Sequence, residues 1–175
     1  MEDAPASLKG KRLLIVDDEP DVLEMLVDLL DGCYIDTARS YEAGARLLQK
    51  NAYDAAVLDI MGVDGHELLK QAVEKDTPAL MLTAHALNPD ALVESIKTGA
   101  QAYVPKDKMA DIHAYLLEVL DFRNRSPRRR AGWFLRLKPF FDRKFGRNWR
   151  EKEPEFWQDF DRKYEITRQD LEEVL

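Results

Sequence analysis

The sequence predicts an α/β fold: a five-stranded parallel doubly wound sheet followed by a small all-helical C-terminal extension. Three observations carry this. Between residues 11 and 122, short apolar runs alternate five times with amphipathic stretches of helical period. The runs are nearly continuous in apolar residues, as in a parallel sheet covered on both faces. Beyond residue 122 the composition turns from acidic to basic and aromatic.

The elements follow in order. "RLLIV" is a buried strand, and "EPDVLEMLVDLLDG" a helix with Val22, Leu23, Leu26, Val27, Leu29 and Leu30 on one broad stripe, Pro20 in its first turn and Gly32 as its stop. "CYIDTA" is the second strand, followed by "SYEAGARLLQK" with Ser40 as N-cap. "DAAVLDI" and "GHELLKQAVEK" make the third pair, and "PALMLTA" with "NPDALVESIKTG" the fourth, its helix opened by Asn-Pro and closed by Gly99. "QAYVP" and "KMADIHAYLLEVLDF" complete the series.

The chain of 175 residues has room for one full domain and an appendage. It is 45% hydrophobic and 34% charged, and no apolar run approaches the ~18–20 residues of a membrane span. "MEDAPASLKGKR" does not read as a secretory signal, and a single cysteine, Cys33, fits a reducing compartment, so a cytoplasmic location is expected. The net charge of −7 conceals an asymmetry: residues 1–122 carry net −12, residues 123–152 net +10 and residues 153–175 net −5. The expected organisation is an N-terminal arm (1–10), an α/β domain (11–122), a basic linker (123–130) and a helical extension (131–175).

Open parallel sheets bind ligands at the carboxyl ends of their strands. Asp17 and Asp18 end the first strand, Asp59 the third and Thr83 the fourth, while Lys106 follows the fifth. Adjacent carboxylates repel, so Asp17, Asp18 and Glu19 call for a positive partner or form only a charged helix start. Hard oxygens without a histidine or cysteine partner suit Mg²⁺ rather than zinc. Asp59 is then available as both ligand and nucleophile for a phosphoryl group, with Thr83 and Lys106 to neutralise its oxygens. His66, His85 and His113 lack a partner pattern and read as surface or boundary residues.

"LLIVDDEP", "AVLDI…DG", "MLTA" and "YVPK", in this order and at strand ends, resemble the receiver domain of bacterial two-component response regulators, a flavodoxin-like fold, over residues 10–122. The resemblance implies that Asp59 is the phosphoacceptor and that Asp18 binds Mg²⁺ directly, with Asp17 acting through water and the Met61 carbonyl as a further ligand. It implies that Thr83 and Lys106 contact the phosphoryl group, that Tyr103 is the switch aromatic, and that Ala84 leaves room for phosphate. The implied protein is a phosphoacceptor, not an enzyme beyond its own Mg²⁺-dependent self-phosphorylation and dephosphorylation. Its implied partner is a sensor histidine kinase or phosphotransfer protein. Two departures from the family pattern stand out: "DIMGVDG" is two residues shorter than the usual loop and lacks its proline, and Asp107 rather than proline follows Lys106.

The extension resembles no output family. "RNRSPRRR" reads as an exposed linker. Pro139 is expected to open a helix to about Lys152 with Phe141, Phe145, Asn148 and Trp149 on one face, and Pro154 another with Phe156, Trp157, Phe160 and Tyr164. Thr167 and Asp170 resemble a capping box before Leu171, Val174 and Leu175. Some 40 residues rarely sustain a core alone, so this unit is expected to dock on the α/β domain, on a second copy in a homodimer, or on an unidentified output protein. The basic block also raises nucleic acid or an anionic membrane as partners, but the acidic "RQDLEEVL" does not suit a DNA-reading helix. Output through protein contacts is the reading preferred.

Overall fold

In the computed structural model, which describes residues 7–172, five parallel strands form one sheet in the order β2-β1-β3-β4-β5. They are β1 (Arg12–Val16), β2 (Tyr34–Ala38), β3 (Ala55–Asp59), β4 (Ala79–Thr83) and β5 (Ala102–Pro105). The helices that connect them are α1 (Pro20–Leu29), α2 (Tyr41–Lys50), α3 (Gly65–Glu74) and α4 (Pro89–Thr98), with α5 (Ile112–Leu120) after the last strand. Every residue of β3 and β4 is buried, as expected of central strands with helices on both faces, whereas the edge strand β2 is partly exposed. The chain leaves β1 toward β2 and returns to the other side of β1 with β3, so the switch point of strand order lies between β1 and β3.

Local signals act as the sequence predicts. Ser40 Oγ accepts from Ala43 N and Asn88 Oδ1 from Ala91 N, capping α2 and α4. Gly32, at φ +91°, takes a conformation that a side chain resists. One boundary differs. "KMAD" lies not in α5 but in a 3₁₀ turn, Lys106–Asp111, which carries the chain from the sheet edge to the helix.

The C-terminal segment departs further from expectation. Residues 123–130 include a short helix, α6 (Pro127–Arg130), and Arg130 Nε donates to the Phe122 carbonyl at 2.9 Å. Helix α7 spans Gly132–Phe145, so Pro139 lies inside it rather than at its start. An interior proline costs roughly 3 kcal/mol. Here Trp133, Phe134, Leu137, Phe140 and Phe141 are all buried along α7, and each large apolar side chain contributes about 1.5–3 kcal/mol, enough to offset it. The helix stops at Gly146 (φ +94°), well short of Lys152, and leaves Asn148 exposed. A 3₁₀ turn, Trp149–Lys152, then swings Trp149 back into the cluster, where its Nε1 donates to Asp142 at 2.8 Å.

Helices α8 (Pro154–Lys163) and α9 (Arg168–Glu172) complete the unit. The capping box forms: Asp170 N donates to Thr167 Oγ1 at 3.1 Å, and Thr167 N to Asp170 Oδ2 at 2.7 Å. Val174, Leu175 and the first six residues of the N-terminal arm lie outside the described residues.

The unit docks on its own α/β domain. Phe141 packs against Tyr103 of β5, and Trp133, Phe134, Trp149, Trp157 and Phe160 belong to the same continuous core as the sheet. At the margins Arg136 pairs with Glu118 and lies over the Tyr115 ring, while Lys97 of α4 meets Glu153 at 3.4 Å. Half of the cations of the basic block are paired with carboxylates. Arg123 pairs with Asp76, Arg125 with Asp121, Arg128 with Asp170, Lys138 with Asp142 and Arg150 with Asp161.

Candidate functional site

The carboxyl edge of the sheet gathers the expected residues. Asp17 extends β1, its backbone N–H donating to the Ala38 carbonyl at 3.1 Å, and Asp59 closes β3 in register with Leu82. Both carboxylates are buried, on either side of the switch point. Between them stands the Lys106 ammonium, 2.8 Å from Asp17 Oδ2, 3.6 Å from Asp59 Oδ2 and 3.0 Å from Glu19 Oε1. Pro105, the last residue of β5, lies in register with Thr83 and delivers Lys106 to this point.

The acidic run folds back on itself. Asp17 Oδ1 accepts from Glu19 N at 2.9 Å, which turns the chain into α1 and leaves Asp18 exposed. Ligand atoms of Asp17, Asp18 and Glu19 lie within 4.8 Å of one another, a spacing open to one cation. The buried Asp17 Oδ2 lies 2.8 Å from the Lys106 ammonium but accepts no hydrogen bond among the described residues. Orphaned carboxylate oxygen beside two further acids, with no nitrogen or sulfur ligand in the cluster, fits a hard divalent ion such as Mg²⁺.

The electrostatics follow the burial. Desolvation and the neighbouring Asp17 charge push the Asp59 carboxyl up to about 7, with Asp18 and Glu19 adding to the rise and Lys106 opposing it. Burial alone would lower the Lys106 ammonium, but its close contacts with Asp17 and Glu19 outweigh that and raise it. The contact with Lys106 holds Glu19 below its ordinary value.

The short loop after Asp59 closes by a bond from Gly65 N to the Ile60 carbonyl, 2.9 Å long, with Asp64 left-handed at φ +52°. It is tight enough that a Cβ on Gly65 would stand 2.0 Å from the Asp59 carbonyl oxygen. A Cβ on Gly62 would stand 2.4 Å from Asp18 Oδ2, so the loop backbone lies directly against that carboxylate. The Met61 side chain is exposed beside it.

Thr83 is fully buried, and its Oγ1 accepts from Ala86 N at 3.1 Å. Tyr103 points inward rather than to solvent: its hydroxyl donates to the Ala86 carbonyl at 2.7 Å and accepts from Asn88 N at 3.3 Å. Burial raises its phenol, with the Asn88 N–H opposing. Ala84 is exposed at the mouth of the site, and His85 stands 4.0 Å from Glu19. The other two histidines lie elsewhere: His66 contacts Ser95 of α4 at 2.9 Å, and His113 is exposed on α5.

The site thus joins Asp17, Asp59 and Lys106 directly, with Asp18 beside Asp17, whereas Thr83 and Tyr103 are tied to the β4–α4 loop. Sequence reasoning gave no separate role to Glu19, Gly62 or Ala86. Glu19 was visible as the third acid of the run, and Gly62 as part of a shortened loop. Ala86 carried no signal, because it contributes only backbone atoms.

Solved structures of response regulators and their receiver domains superpose on this doubly wound sheet. A CheY-like response regulator receiver domain from Methanospirillum hungatei JF-1 superposes with a TM-score of 0.59 and 27% identity, covering 66% of this chain and 98% of that one. A putative response regulator from Chloroflexus aurantiacus J-10-fl gives 0.56 and 33%, covering 64% and 98%. The response regulator receiver domain family matches residues 13–117, and the chain belongs to it.

Among curated relatives, the transcriptional regulatory protein TcrA of Mycobacterium tuberculosis is 32% identical over 127 residues, 69% of this chain and 50% of its own length. The heme response regulator HssR of Staphylococcus aureus is 39% identical over 101 residues, 53% of this chain and 43% of its own length. The chain spans half or less of the length of the curated relatives it matches. The C-terminal helical unit lies beyond the family match.

Proposed function

We propose that Asp59 accepts a phosphoryl group from a sensor histidine kinase or phosphotransfer protein, and that the modified chain acts through protein contacts. The observation that carries this reading is the convergence of Asp17, Asp59 and Glu19 on the Lys106 ammonium at the switch point of the sheet. Asp18, Asp17 and Asp59, with the Met61 carbonyl, are the residues that would hold Mg²⁺. When bound, the ion would neutralise phosphoryl oxygens and favour the ionised form of Asp59.

In the transfer, an Asp59 carboxylate oxygen attacks phosphorus, and the bond from phosphorus to the donor nitrogen or oxygen breaks. The donor keeps that electron pair. Lys106 Nζ, already 3.6 Å from Asp59, is placed to pair with the added charge, and the Thr83 hydroxyl can donate to a phosphoryl oxygen. Without metal the raised Asp59 carboxyl would keep its proton up to about pH 7, and by favouring the ionised form the bound ion would free the nucleophile at lower pH.

The basic block gives less support to a nucleic-acid or membrane partner, because half of its cations face carboxylates of this same chain. The direct test is intact mass after treatment with acetyl phosphate and Mg²⁺. One phosphoryl group should be gained by the wild type and none by Asp59→Asn; equal labelling of the two would overturn the assignment.

A further inference from the structure

One stripe of α7 carries cations that no carboxylate of the chain answers. Arg136, Phe140, Arg143 and Lys144 follow one another at i, i+4, i+7 and i+8, the spacing of a single helical face. Lys108, from the 3₁₀ turn Lys106–Asp111, reaches the same ring. Its Nζ stands 5.6 Å from the Phe140 ring centre, Lys144 Nζ 5.7 Å and the Arg143 guanidinium carbon 6.0 Å. None of these three has an ion-pair partner among the described residues. Next to the ring, between α5 and α7, an open groove of about 340 Å³ is lined by Lys108, Asp111, Ala114, Tyr115, Arg136 and Leu137.

Two of the cations have an ordinary explanation. Arg143 and Lys144 lie in the last turn of α7, where the helix dipole favours positive charge. Lys108 does not, since it belongs to another element and brings a third like charge to one ring. An aromatic face attracts each cation only modestly and does not cancel their repulsion. Carboxylates are plentiful in a chain of net charge −7, yet none is set against these three. Arg136 is already paired with Glu118, and Asp111, the acid of the lining, pairs with neither Lys108 nor Arg136.

We propose that this groove binds a short acidic segment of a partner protein. Its carboxylates face Lys108, Arg143 and Lys144, and an apolar side chain enters beside Tyr115 and Leu137. From Arg136 to Lys144 the stripe runs about 12 Å, which roughly four residues of extended chain cover. A lipid surface fits less well. The large apolar side chains exposed among the described residues, from Met25 to Val73, all lie on the α/β domain, so none stands beside these cations as an anchor. Duplex nucleic acid offers phosphates but no apolar group for the groove. The inference deepens the protein-contact part of the reading above and needs no phosphoryl group at Asp59.

The test is fluorescence anisotropy on the unmodified full chain, with a fluorescein-labelled peptide of four glutamates around one leucine. The peptide should bind, and binding should weaken as salt rises to about 0.3 M, which screens exposed charges. The triple variant Lys108→Glu, Arg143→Glu, Lys144→Glu should bind it about 10-fold or more weakly. A charge-matched control, Lys9→Glu, Lys11→Glu, Lys50→Glu, alters exposed lysines away from the groove and should keep wild-type affinity. Equal losses in the two variants would reveal bulk charge alone and overturn the proposal.

Should the triple variant lose its fold by circular dichroism, Arg143→Ala with Lys144→Ala decides, and an affinity equal to wild type then overturns the groove. Wild type that ignores the peptide at about 1 mM protein also overturns it. So does tighter binding of duplex DNA or of phosphatidylserine vesicles than of the peptide. Asp59→Asn should bind the peptide as wild type does, so a failure of the phosphoacceptor reading and a failure of this one are told apart.

Discussion

Lys106 and Asp17 form an ion pair 2.8 Å long in which both side chains are nearly buried, 9% and 2% exposed. A pair in such surroundings is not a strong stabiliser by itself, but removing one member leaves the other charge stranded. The ammonium also faces Asp59, so one cation relieves repulsion between two buried acids. A bound divalent ion would take over part of that task.

The first prediction follows directly. Lys106→Met should destabilise the protein in metal-free buffer by about 3–5 kcal/mol, the usual penalty for breaking a buried pair. Added Mg²⁺ should recover much of the loss, because it supplies the missing positive charge. Thermal unfolding with and without Mg²⁺ reads both effects. A Lys106→Met protein as stable as wild type without metal would contradict the role given to the ammonium.

The second concerns pH. The Asp59 carboxyl is raised to about 7 in the folded chain, mainly by burial, against about 3.9 in an unfolded one. Between those values the folded state holds a proton that the unfolded state has lost, so stability falls as pH climbs through the window and stays low above it. Asp59→Asn cannot ionise and escapes this loss. In metal-free buffer its melting temperature should exceed that of wild type by roughly 5 °C or more at pH 8, with a much smaller difference at pH 5. A difference that does not grow with pH would show that Asp59 is not the strained group.

The third concerns the metal. Asp17 is already tied to Glu19 N and Lys106, whereas Asp18 is exposed and lies against the Gly62 backbone. Asp18→Ala should therefore weaken Mg²⁺ binding more than Asp17→Ala in a calorimetric titration. Gly62→Ala should weaken it as well, since the new Cβ would collide with Asp18 and the φ of +86° resists a side chain. A larger loss for Asp17→Ala would reverse the two roles.

The fourth concerns the C-terminal unit. Phe134 touches all three tryptophans: it stacks on Trp157 at 5.2 Å, with Trp133 at 5.8 Å and Trp149 at 6.4 Å. Phe134→Ala should cost about 3–5 kcal/mol and shift tryptophan emission to the red while the sheet remains folded. The fragment 131–175 alone should lack stable helix by circular dichroism, because its aromatic face is completed by Tyr103 and its neighbours. A fragment that melts cooperatively by itself would refute this.

Much of the sheet was legible because its cues are local. Apolar runs mark the strands, and Ser40, Asn88 and the Thr167–Asp170 pair mark helix starts through bonds that span only three residues. The site was legible because the sheet itself brings strand ends together. The start of α7 was not, since Pro139 is a local signal overruled by packing with residues distant in sequence. Nor could the basic block reveal that Arg136 faces Glu118 or that Arg128 faces Asp170; ion pairs between remote elements leave no periodicity to read.

The docked tail has a consequence for any protein that seeks the face formed by α4, β5 and α5. Only about a dozen residues separate the end of α5 from the start of α7, so the tail competes as a tethered ligand. A short tether sets a local concentration on the order of millimolar. A free partner at micromolar levels meets that face as a small fraction of molecules whose tail has lifted, and its apparent affinity is reduced by that fraction. Receptivity of this surface is therefore set by the tail's own docking equilibrium before any outside partner's contacts are counted.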